Sequence, residues 1–378
     1  MRRGTIGAPL VRCIAALRSS KAKSTYDSGM NRASAAPDPA ALAAFDLVPG
    51  STEPAPSGLI NRTWYARGRR GKRFVLQQLN KVFPPQINED IDALTRHLAA
   101  KGLITPRLVP TRSGALWFQS NDVVWRVLTY IDGVSRHAIR SPTQALEAGR
   151  VLATFHRAAS DLNYTFKNAR LGVHDTERHL NALRSALVEF AHRPEHSAVR
   201  ALAERVFALA QRLQALPAST DRIVHGDPKI SNIVFERDTD RALCLIDLDT
   251  CTRMPVALEL GDALRSWCNP VSEDNATAGF SRPLFQAAIE GYAAAADGFL
   301  EAAEWSGIPA ATLTIAVELA ARFCADSLRE RYFGWDANRY PSASAHNQAR
   351  TRNQLQVAEN VAAELASMQE ATSAVFGR

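Results

Sequence analysis

The sequence predicts an α+β protein in two parts, a small antiparallel sheet with one helix followed by a mainly helical region. Three observations lead to this prediction. Residues 45–130 alternate short β-rich runs with a single helix-like segment. From residue 142 onward, segments rich in Ala and Leu repeat apolar residues at helical spacing. The length of 378 residues suits two such parts, and no internal repeat of solenoid period is present.

The N-terminal part, over residues 40–133, is predicted to hold the antiparallel sheet. A basic turn, Gly68-Arg69-Arg70-Gly71, joins its first two strands, and Gly102 closes its main helix. The predicted elements are a helix over 40–47, strands over 62–66 and 73–79, a helix over 88–101, and strands over 115–119 and 123–130.

The C-terminal part, over residues 134–370, is predicted to be mostly helical, with two short strands between residues 223 and 249. The predicted helices cover 143–159, 175–190, 197–216, 284–303, 310–334 and 349–370.

The positive charge is concentrated at the N-terminus. Residues 1–32 contain seven Lys and Arg and a single acid, so the other 346 residues carry only about +1 of the total charge of +7. A body this close to neutrality argues against a nucleic-acid partner. We expect residues 1–32 to be a disordered basic tail, or a stretch upstream of a true start at Met30, with an organellar transit peptide as the alternative.

Cysteine content and apolar runs exclude two further classes of protein. The five cysteines are scattered without a C-x-x-C pair, which argues against a disulfide framework and a structural zinc site. The apolar runs are too short to span a bilayer, so no membrane association is expected. These features predict a cytoplasmic protein.

The region between residues 223 and 249 carries the most informative pattern. Asp227 opens a loop after an apolar run, Asn232 follows five residues later, and a second short strand ends at Asp247. A hairpin of this length brings its strand ends together, so we expect Asn232 and Asp247 side by side, with Asp227 facing the same cavity.

Phosphoryl transfer from a nucleotide requires this set of groups. A carboxylate accepts the proton of the attacking hydroxyl, while an amide oxygen and a second carboxylate hold Mg²⁺ against the phosphates. Hard oxygen ligands favour Mg²⁺ over softer metals. The D-x-x-x-x-N spacing followed by a strand-end Asp is also typical of protein kinase catalytic loops.

The motif H-G-D-P-K-x-S-N at 225–232, followed by I-D-x-D-T at 246–250, resembles the aminoglycoside phosphotransferase and choline kinase superfamily. The chain is most similar to the N-acetylhexosamine 1-kinase (mucin-desulfatase-like) group, over about residues 45–365. The segments that agree with this group are Asn61-Arg62-Thr63, 74–80 with Val82-Phe83, 261–265, Glu273-Asp274, Arg322-Phe323, Tyr332-Phe333 and His346-Asn347-x-x-Arg350.

The resemblance implies a bilobal protein-kinase-like fold that binds ATP and Mg²⁺ in the cleft between its lobes. It implies that Asp227 is the catalytic base and that Asn232 and Asp247 are Mg²⁺ ligands. It further implies nucleotide contacts from Asn61, Thr63, Gln77 and Lys229, and acceptor contacts from Asp249, Arg265, Arg322 and Tyr332, with Asp249 beside the metal or the sugar.

Gln77 is the one clear departure from the superfamily pattern, because it stands where a nucleotide-binding lysine is expected. A glutamine supplies a dipole in place of a full charge. The hexosamine kinase group tolerates this glutamine, and Lys229 or Arg62 are candidates to compensate for the missing charge.

Several candidates have a purely structural alternative. Arg265 would anchor the metal loop instead of contacting a ligand, and Tyr332 would be a core aromatic. His225 is expected to orient its loop, and His156 to be a satisfied interior histidine.

Three functions remain open from the sequence. The first is an ATP- and Mg²⁺-dependent kinase that phosphorylates a small-molecule acceptor, an N-acetylhexosamine, at its anomeric hydroxyl. The second is a kinase of choline, homoserine, an aminoglycoside or a similar metabolite, although six arginines within 319–353 disfavour a polycationic acceptor. The third is a non-catalytic binding relative, which Gln77 would explain.

Overall fold

The N-terminal part of the chain forms an antiparallel sheet in the computed structural model, which describes residues 36–55, 61–168 and 173–377. The strand order is β1-β2-β3-β6-β4, and β5 also pairs with β6. The predicted tail over 1–32 lies outside the described residues. The elements are α1 (Pro39–Ala44), β1 (Glu53–Pro54), β2 (Arg62–Arg67), β3 (Arg73–Gln78), α2 (Ile87–Ala100), β4 (Leu108–Val109), β5 (Phe118–Ser120) and β6 (Val123–Thr129).

The two faces of this sheet have different characters because side chains alternate along each strand. One face buries Trp64, Leu76, Trp125 and Val127 beneath α1, with the two indole rings 5.6 Å apart. The opposite face carries Thr63, Gln77 and Arg126, and Arg126 bonds Asp249 of the C-terminal part from this face.

Helix α2 packs into the large core that continues through the C-terminal part. Its buried residues Ile87, Ile91, Leu94 and Leu98 recur at intervals of three and four, which places them on one side of the helix. Its N-terminal turn therefore lies beside the sheet, where Asn88 reaches the site described below.

The C-terminal part is mainly helical, as predicted. Helix α9 is long and apolar enough to cross a membrane, but 83% of its apolar window is buried within the fold, as in a core helix. The helices are α3 (Pro142–Ala159), α4 (Thr176–Glu189), α5 (His196–Ala210), α6 (Val256–Trp267), α7 (Arg282–Ala296), α8 (Ala302–Ser306), α9 (Ile308–Arg329) and α10 (Ala343–Phe376).

Two small antiparallel sheets lie among these helices. One has the order β10-β9-β7, and the other pairs β11 with β8. Each sheet supplies one segment of the motif region, so both are needed to assemble it. The strands are β7 (Val134–Ser135), β8 (Asp221–Val224), β9 (Ile233–Phe235), β10 (Ala242–Leu245) and β11 (Thr252–Pro255).

Several helix ends differ from the sequence prediction. The helix predicted over 284–303 ends at Ala296, because Asp297 and Gly298 take left-handed backbone angles and α8 then begins anew. The helix predicted over 310–334 ends at Arg329, where Glu330 is left-handed. The helix predicted over 197–216 ends at Ala210, and the last helix is longer than the predicted 349–370.

Helix α6 was missed by the sequence analysis. Gly261 lies at its centre, and glycine disfavours a helix. The structure explains the residue, because a Cβ at Gly261 would come within 2.7 Å of the backbone of Ala311 on α9. Close packing of α6 against α9 thus requires the glycine that obscured the helix.

The predicted fold class is confirmed: the chain is α+β, with small antiparallel sheets and many helices. The lobe boundary at residue 133 stays a prediction. Strand β7, which begins at Val134, pairs with β9 of the C-terminal part, and this pairing agrees with the boundary.

Candidate active site

The segment His225-Gly226-Asp227 leaves β8 and forms a rigid turn. His225 Nδ1 accepts a hydrogen bond from the backbone N–H of Asp227 (3.3 Å), so its Nε2 carries the proton and donates to the carbonyl of Ile246 (2.8 Å). Gly226 has φ of +81°, and a Cβ there would lie 2.3 Å from the carbonyl oxygen of Thr250. His225 therefore connects two segments of the motif region, which agrees with its predicted orienting role.

Glu259 on α6 holds the same turn from the interior. Its fully buried carboxylate accepts the backbone N–H groups of His225 (2.8 Å) and Gly226 (2.9 Å). His156 also lies near this carboxylate and bonds Tyr292 through Nδ1 (2.8 Å). Sequence analysis missed Glu259 because it belongs to the helix that was not predicted. In the sequence, Glu259 is a single acidic residue within an apolar run, and this pattern alone does not distinguish a functional residue from a structural one.

Asp227 lies at the end of the turn, partly exposed, where it meets Lys229 and Asn232. The side-chain amide of Asn232 donates to the backbone carbonyl of Asp227 (2.8 Å) and to its Oδ2 (3.3 Å). Lys229 forms an ion pair with the same carboxylate. Burial alone would raise the pKa of Asp227, but the charge and hydrogen bond of Lys229 outweigh it, and the pKa is lowered.

The predicted hairpin is present and places Asp247 next to Asn232. Strands β9 and β10 pair Ile233 with Leu245, and the N–H of Ile246 donates to the carbonyl of Asn232 (2.9 Å). Strand β10 ends at Leu245, two residues before the predicted end, and Asp247 takes a left-handed backbone with φ of +65°. Burial raises the pKa of Asp247 to about 6, and the nearby charge of Asp249 acts in the same direction.

These groups fit a Mg²⁺ ion that is shared with a nucleotide. Because the side-chain Nδ2 of Asn232 donates to Asp227, the side-chain oxygen Oδ1 of Asn232 is the atom left for a cation. Mg²⁺ typically takes one or two carboxylates and completes its shell with water and phosphate oxygens. The part of the chain that the structure describes has no cluster of three His, Cys, Asp or Glu side chains that would hold a metal by protein ligands alone.

Asp249 has different partners from the substrate contact expected from the sequence. Its two oxygens receive a bidentate pair from Arg126 on β6 (2.5 and 2.7 Å) and a hydrogen bond from Asn61 Nδ2 (2.8 Å). Both Asp249 and Arg126 are almost fully buried. The carboxylate thus joins the sheet to the motif region and has little surface left for a sugar.

Arg126 was also missed by the sequence analysis. It sits within a mostly apolar strand, Val123–Thr129, whose alternating pattern gives no sign that a charged residue there has a function. A fully buried arginine is rare enough to mark a site. Arg126 lies opposite Gln77 because of the register between β3 and β6, which the sequence does not specify.

The predicted nucleotide residues from the sheet belong to the same network. Asn61 accepts the backbone N–H of Asn80 (2.9 Å) through Oδ1, which fixes the turn after β3. Gln77 donates to the Thr63 hydroxyl (3.3 Å) and accepts from Arg126 Nε (2.8 Å). The structure therefore brings Asn61, Thr63 and Gln77 together where β2 begins and β3 ends.

Arg265 pairs with Asp262 of its own helix and with Glu273, not with the metal loop that it was expected to anchor, and its contact with an acceptor stays a prediction. It is buried, bonds Asp262 through Nε (3.0 Å) and Nη2 (2.6 Å), and reaches Glu273 through Nη1 (3.1 Å). Burial would lower its pKa, but these two carboxylates raise it. Helix α6 lies directly against the turn at residues 225–228, because Trp267 Nε1 donates to the carbonyl of Pro228 (2.8 Å).

The remaining acceptor candidates lie further along the chain. Arg322 on α9 approaches the rings of Tyr332 and Phe333, each at 5.6 Å from the centroid. Tyr332 is 48% exposed and is not a core aromatic. The Asp326 carboxylate accepts the backbone N–H groups of Tyr332 and Phe333, which fixes the loop after α9.

The sequence profile of the phosphotransferase enzyme family (APH) matches residues 51–305, about two thirds of the chain. The chain belongs to this family. The predicted aminoglycoside phosphotransferase superfamily is therefore confirmed.

Similar proteins add detail about the fold. An aminoglycoside phosphotransferase from Alicyclobacillus acidocaldarius aligns with a TM-score of 0.60 at 18% identity, over 91% of this chain and 98% of its own. An amicoumacin kinase in complex with AMP-PNP, Ca²⁺ and Ami aligns with a TM-score of 0.58 at 15% identity, over 84% and 91%. At these identities the likeness shows the fold alone.

A curated relative, the homoserine kinase of Burkholderia cenocepacia (strain HI2424), is 31% identical over 115 residues. This match covers 30% of the chain and 34% of the relative. The chain thus matches about a third of the length of this relative, and the narrower resemblance to N-acetylhexosamine kinases stays a prediction.

Proposed function

We propose that this protein transfers the γ-phosphate of ATP, in the presence of Mg²⁺, to a hydroxyl of a small metabolite. The observation that carries the proposal is the convergence of Asp227, Asn232 and Asp247 on one hairpin and turn. Phosphoryl transfer depends mainly on positioning and on neutralising charge, and these three groups supply both.

Asp227 is the proposed base that orients the acceptor hydroxyl and takes its proton. The lowered pKa keeps Asp227 ionised at neutral pH, and such a weak base suits a reaction in which the proton leaves late, after the phosphoryl bond has loosened. The surrounding hydrogen bonds from Asn232 and Lys229 fix the carboxylate in one orientation.

Asn232 and Asp247 are the proposed ligands of Mg²⁺, which when bound neutralises charge on the phosphates. Among the described residues, Arg126 and Lys229 are the cations that form ion pairs within the cluster of Asp227, Asp247 and Asp249. Arg265 also acts on Asp227 but is paired with Asp262 and Glu273, so the cluster carries excess negative charge, which a divalent cation would offset.

The proposed acceptor is an N-acetylhexosamine, phosphorylated at its anomeric hydroxyl. The carboxylates on α6 and in the loop after it are already paired, Asp262 and Glu273 with Arg265, and Asp274 with His346 and Arg350. An ammonium group needs an unpaired carboxylate or an aromatic cage, whereas a neutral polyol does not. This pairing supports a sugar over a polycationic acceptor.

Homoserine or a related amino alcohol is the second candidate. The observation that favours it is the 31% identity to a homoserine kinase over 115 residues. Homoserine has one ammonium group, and a single carboxylate released from its partner would bind it. The pairing of the carboxylates is therefore a weaker argument against homoserine than against an aminoglycoside, which has several ammonium groups.

An ADP-release assay over a panel of acceptors tests the proposal. The panel contains N-acetylglucosamine, N-acetylgalactosamine, homoserine, choline, ethanolamine and an aminoglycoside, with ATP and Mg²⁺. We expect turnover with an N-acetylhexosamine, and a ³¹P spectrum of the product that shows the phosphate at the anomeric carbon. Turnover with homoserine alone supports the second candidate.

The panel also separates an enzyme from a non-catalytic relative. The Asp227→Asn variant run in parallel measures the background ATPase of the preparation. If the wild-type protein binds ATP but releases no ADP above that background with any acceptor, the proposed kinase activity is wrong.

A further inference from the structure

The nucleotide face of the sheet lacks a lysine on β3, where Gln77 stands. Neither cation suggested by the sequence fills this gap well. Lys229 is engaged with Asp227, and the side chain of Arg62 is exposed at the start of β2. The positive charge for a triphosphate therefore has to come from another residue.

Arg126 occupies the volume next to the end of the Gln77 side chain. The two residues are direct register partners on the adjacent strands β3 and β6, so they project from the same face of the sheet. Gln77 Oε1 accepts from Arg126 Nε at 2.8 Å. The guanidinium therefore lies just beyond the point that a residue on β3 reaches.

The far side of the guanidinium faces the metal loop. Arg126 holds Asp249 with both Nη atoms, and its charge also acts on Asp247, the proposed Mg²⁺ ligand. Its contact with Asn88 Oδ1 is longer, at 3.4 Å, and one N–H of Nη2 has no partner among the residues that the structure describes. The group thus retains hydrogen-bonding capacity beside the metal site.

We propose that Arg126 supplies the positive charge of the nucleotide site in place of the lysine that Gln77 replaces, and that Asp249 orients its guanidinium. This inference rests on the proposed function. In protein kinases a lysine on β3 is oriented by a glutamate on the following helix. Here the cation sits on the neighbouring strand and its acid on the metal loop, while Glu89 of α2 pairs with Lys167 instead.

Stabilisation of the fold alone is a poor explanation for the buried ion pair of Arg126 and Asp249. Burying both charges costs about as much as their attraction returns, and apolar residues of similar size often do as well. The contacts are also specific to the site, since Gln77, Asn61 and Asp249 all belong to the predicted nucleotide and metal segments. A role toward the phosphates explains why a charge is kept there.

The test measures binding of ATP, ADP and adenosine by isothermal titration calorimetry in Mg²⁺. We expect Arg126→Gln to weaken ATP and ADP binding by about tenfold to a hundredfold, because a charge-assisted contact is lost. Adenosine lacks phosphates, and its affinity should stay within about twofold of the wild-type value. Arg96→Gln, an exposed arginine on α2, is the matched control and should leave all three affinities unchanged.

Two further variants make the result decisive. Arg126→Lys keeps the charge but loses the bidentate fork, and should bind ATP with an affinity between those of the wild-type protein and Arg126→Gln. This variant also serves if Arg126→Gln does not fold. Gln77→Lys in the Arg126→Gln background should recover most of the lost ATP affinity, because the charge returns to β3.

An equal loss for adenosine and ATP in Arg126→Gln would overturn the inference, since it would show that Arg126 only holds the two parts together. Unchanged ATP affinity would overturn it as well. Failure of the proposed function looks different: the wild-type protein itself would bind no ATP, or would bind ATP and phosphorylate nothing.

Discussion

The proposed catalytic turn, residues 225–228, and the proposed acceptor side of this protein are built in contrasting ways. The catalytic turn and hairpin use residues within 225–249, held by backbone hydrogen bonds and a fixed spacing. The acceptor side collects charged residues from α6, α9 and α10 and the loops between them, which are far apart in the chain. Residues that are close in the chain can be recognised as one site from the sequence. Residues that come together from distant segments cannot, so the sequence does not identify the acceptor.

The two regions also differ in how far their polar groups are satisfied. In the turn, Asp227 and Asp247 are the proposed binding groups for a substrate hydroxyl and a cation. On the acceptor side, Asp274 bonds His346 and Arg350, and Asp326 accepts several backbone N–H groups. This difference suggests that substitutions in the turn change rates, whereas substitutions on the acceptor side change stability first.

The largest effect is expected for Asp247→Ala. The proposed Mg²⁺ site would lose its carboxylate, so activity should fall to the background of the assay at any Mg²⁺ concentration. A Mg²⁺ titration of ADP release with the preferred acceptor measures it. A variant whose half-saturating Mg²⁺ concentration matches the wild-type value would exclude Asp247 as a ligand.

Asp227→Asn should lower kcat by about 10²–10⁴-fold, the range typical of a lost general base, while ATP affinity persists. Steady-state kinetics and calorimetry with ATP together separate the two quantities. Asp132→Asn, at an exposed ion pair with Arg237, is the matched control and should behave like the wild-type protein. Wild-type turnover in Asp227→Asn would disprove the base assignment.

A smaller effect is expected for Glu259→Gln, which links the two regions because Glu259 lies on α6 but holds the catalytic turn. The amide of Gln would place a donor against two backbone donors, so one buried N–H would lose its partner, at a cost of roughly 1–3 kcal/mol. We expect kcat to fall and the KM for ATP to change little, together with a lower Tm.

Measuring both kcat and Tm distinguishes a positioning role of Glu259 from a purely structural one. If Glu259→Gln lowers Tm but leaves kcat at the wild-type value, Glu259 supports the fold and does not position Asp227. Glu259→Asp, which keeps the charge but shortens the side chain, should recover part of kcat.

The sequence was sufficient for the fold class and for the chemistry of the turn because both depend on local order. Asp227, Asn232 and Asp247 lie within 21 residues, and strand pairing leaves little choice in how they meet. The network around Arg126 could not be predicted, because it depends on the register of β3 against β6 and on Asp249, 123 residues further along the chain. Glu259 was missed for a related reason, since Gly261 masked the helix that carries it.

The smallest effect is expected for Asp274→Asn on the acceptor side. Burial alone would raise the pKa of Asp274, but the hydrogen bonds and charges of His346 and Arg350 outweigh it and lower the pKa below its usual range. A group with a depressed folded-state pKa stabilises the protein above its unfolded pKa, near 4, and this contribution is lost as the pH falls further. Because the carboxylate is 30% exposed, we expect about 1 kcal/mol of destabilisation at pH 7.

Urea unfolding of Asp274→Asn and the wild-type protein between pH 7 and pH 3 tests this expectation. The difference in free energy of unfolding should be constant from pH 7 to about pH 5 and should shrink below about pH 4, where the wild-type carboxylate begins to be protonated in the unfolded chain. ATP affinity should not change. A variant that keeps its stability but loses affinity for the acceptor would instead make Asp274 a binding group, and the contrast between a reactive turn and a self-paired acceptor side would then be wrong.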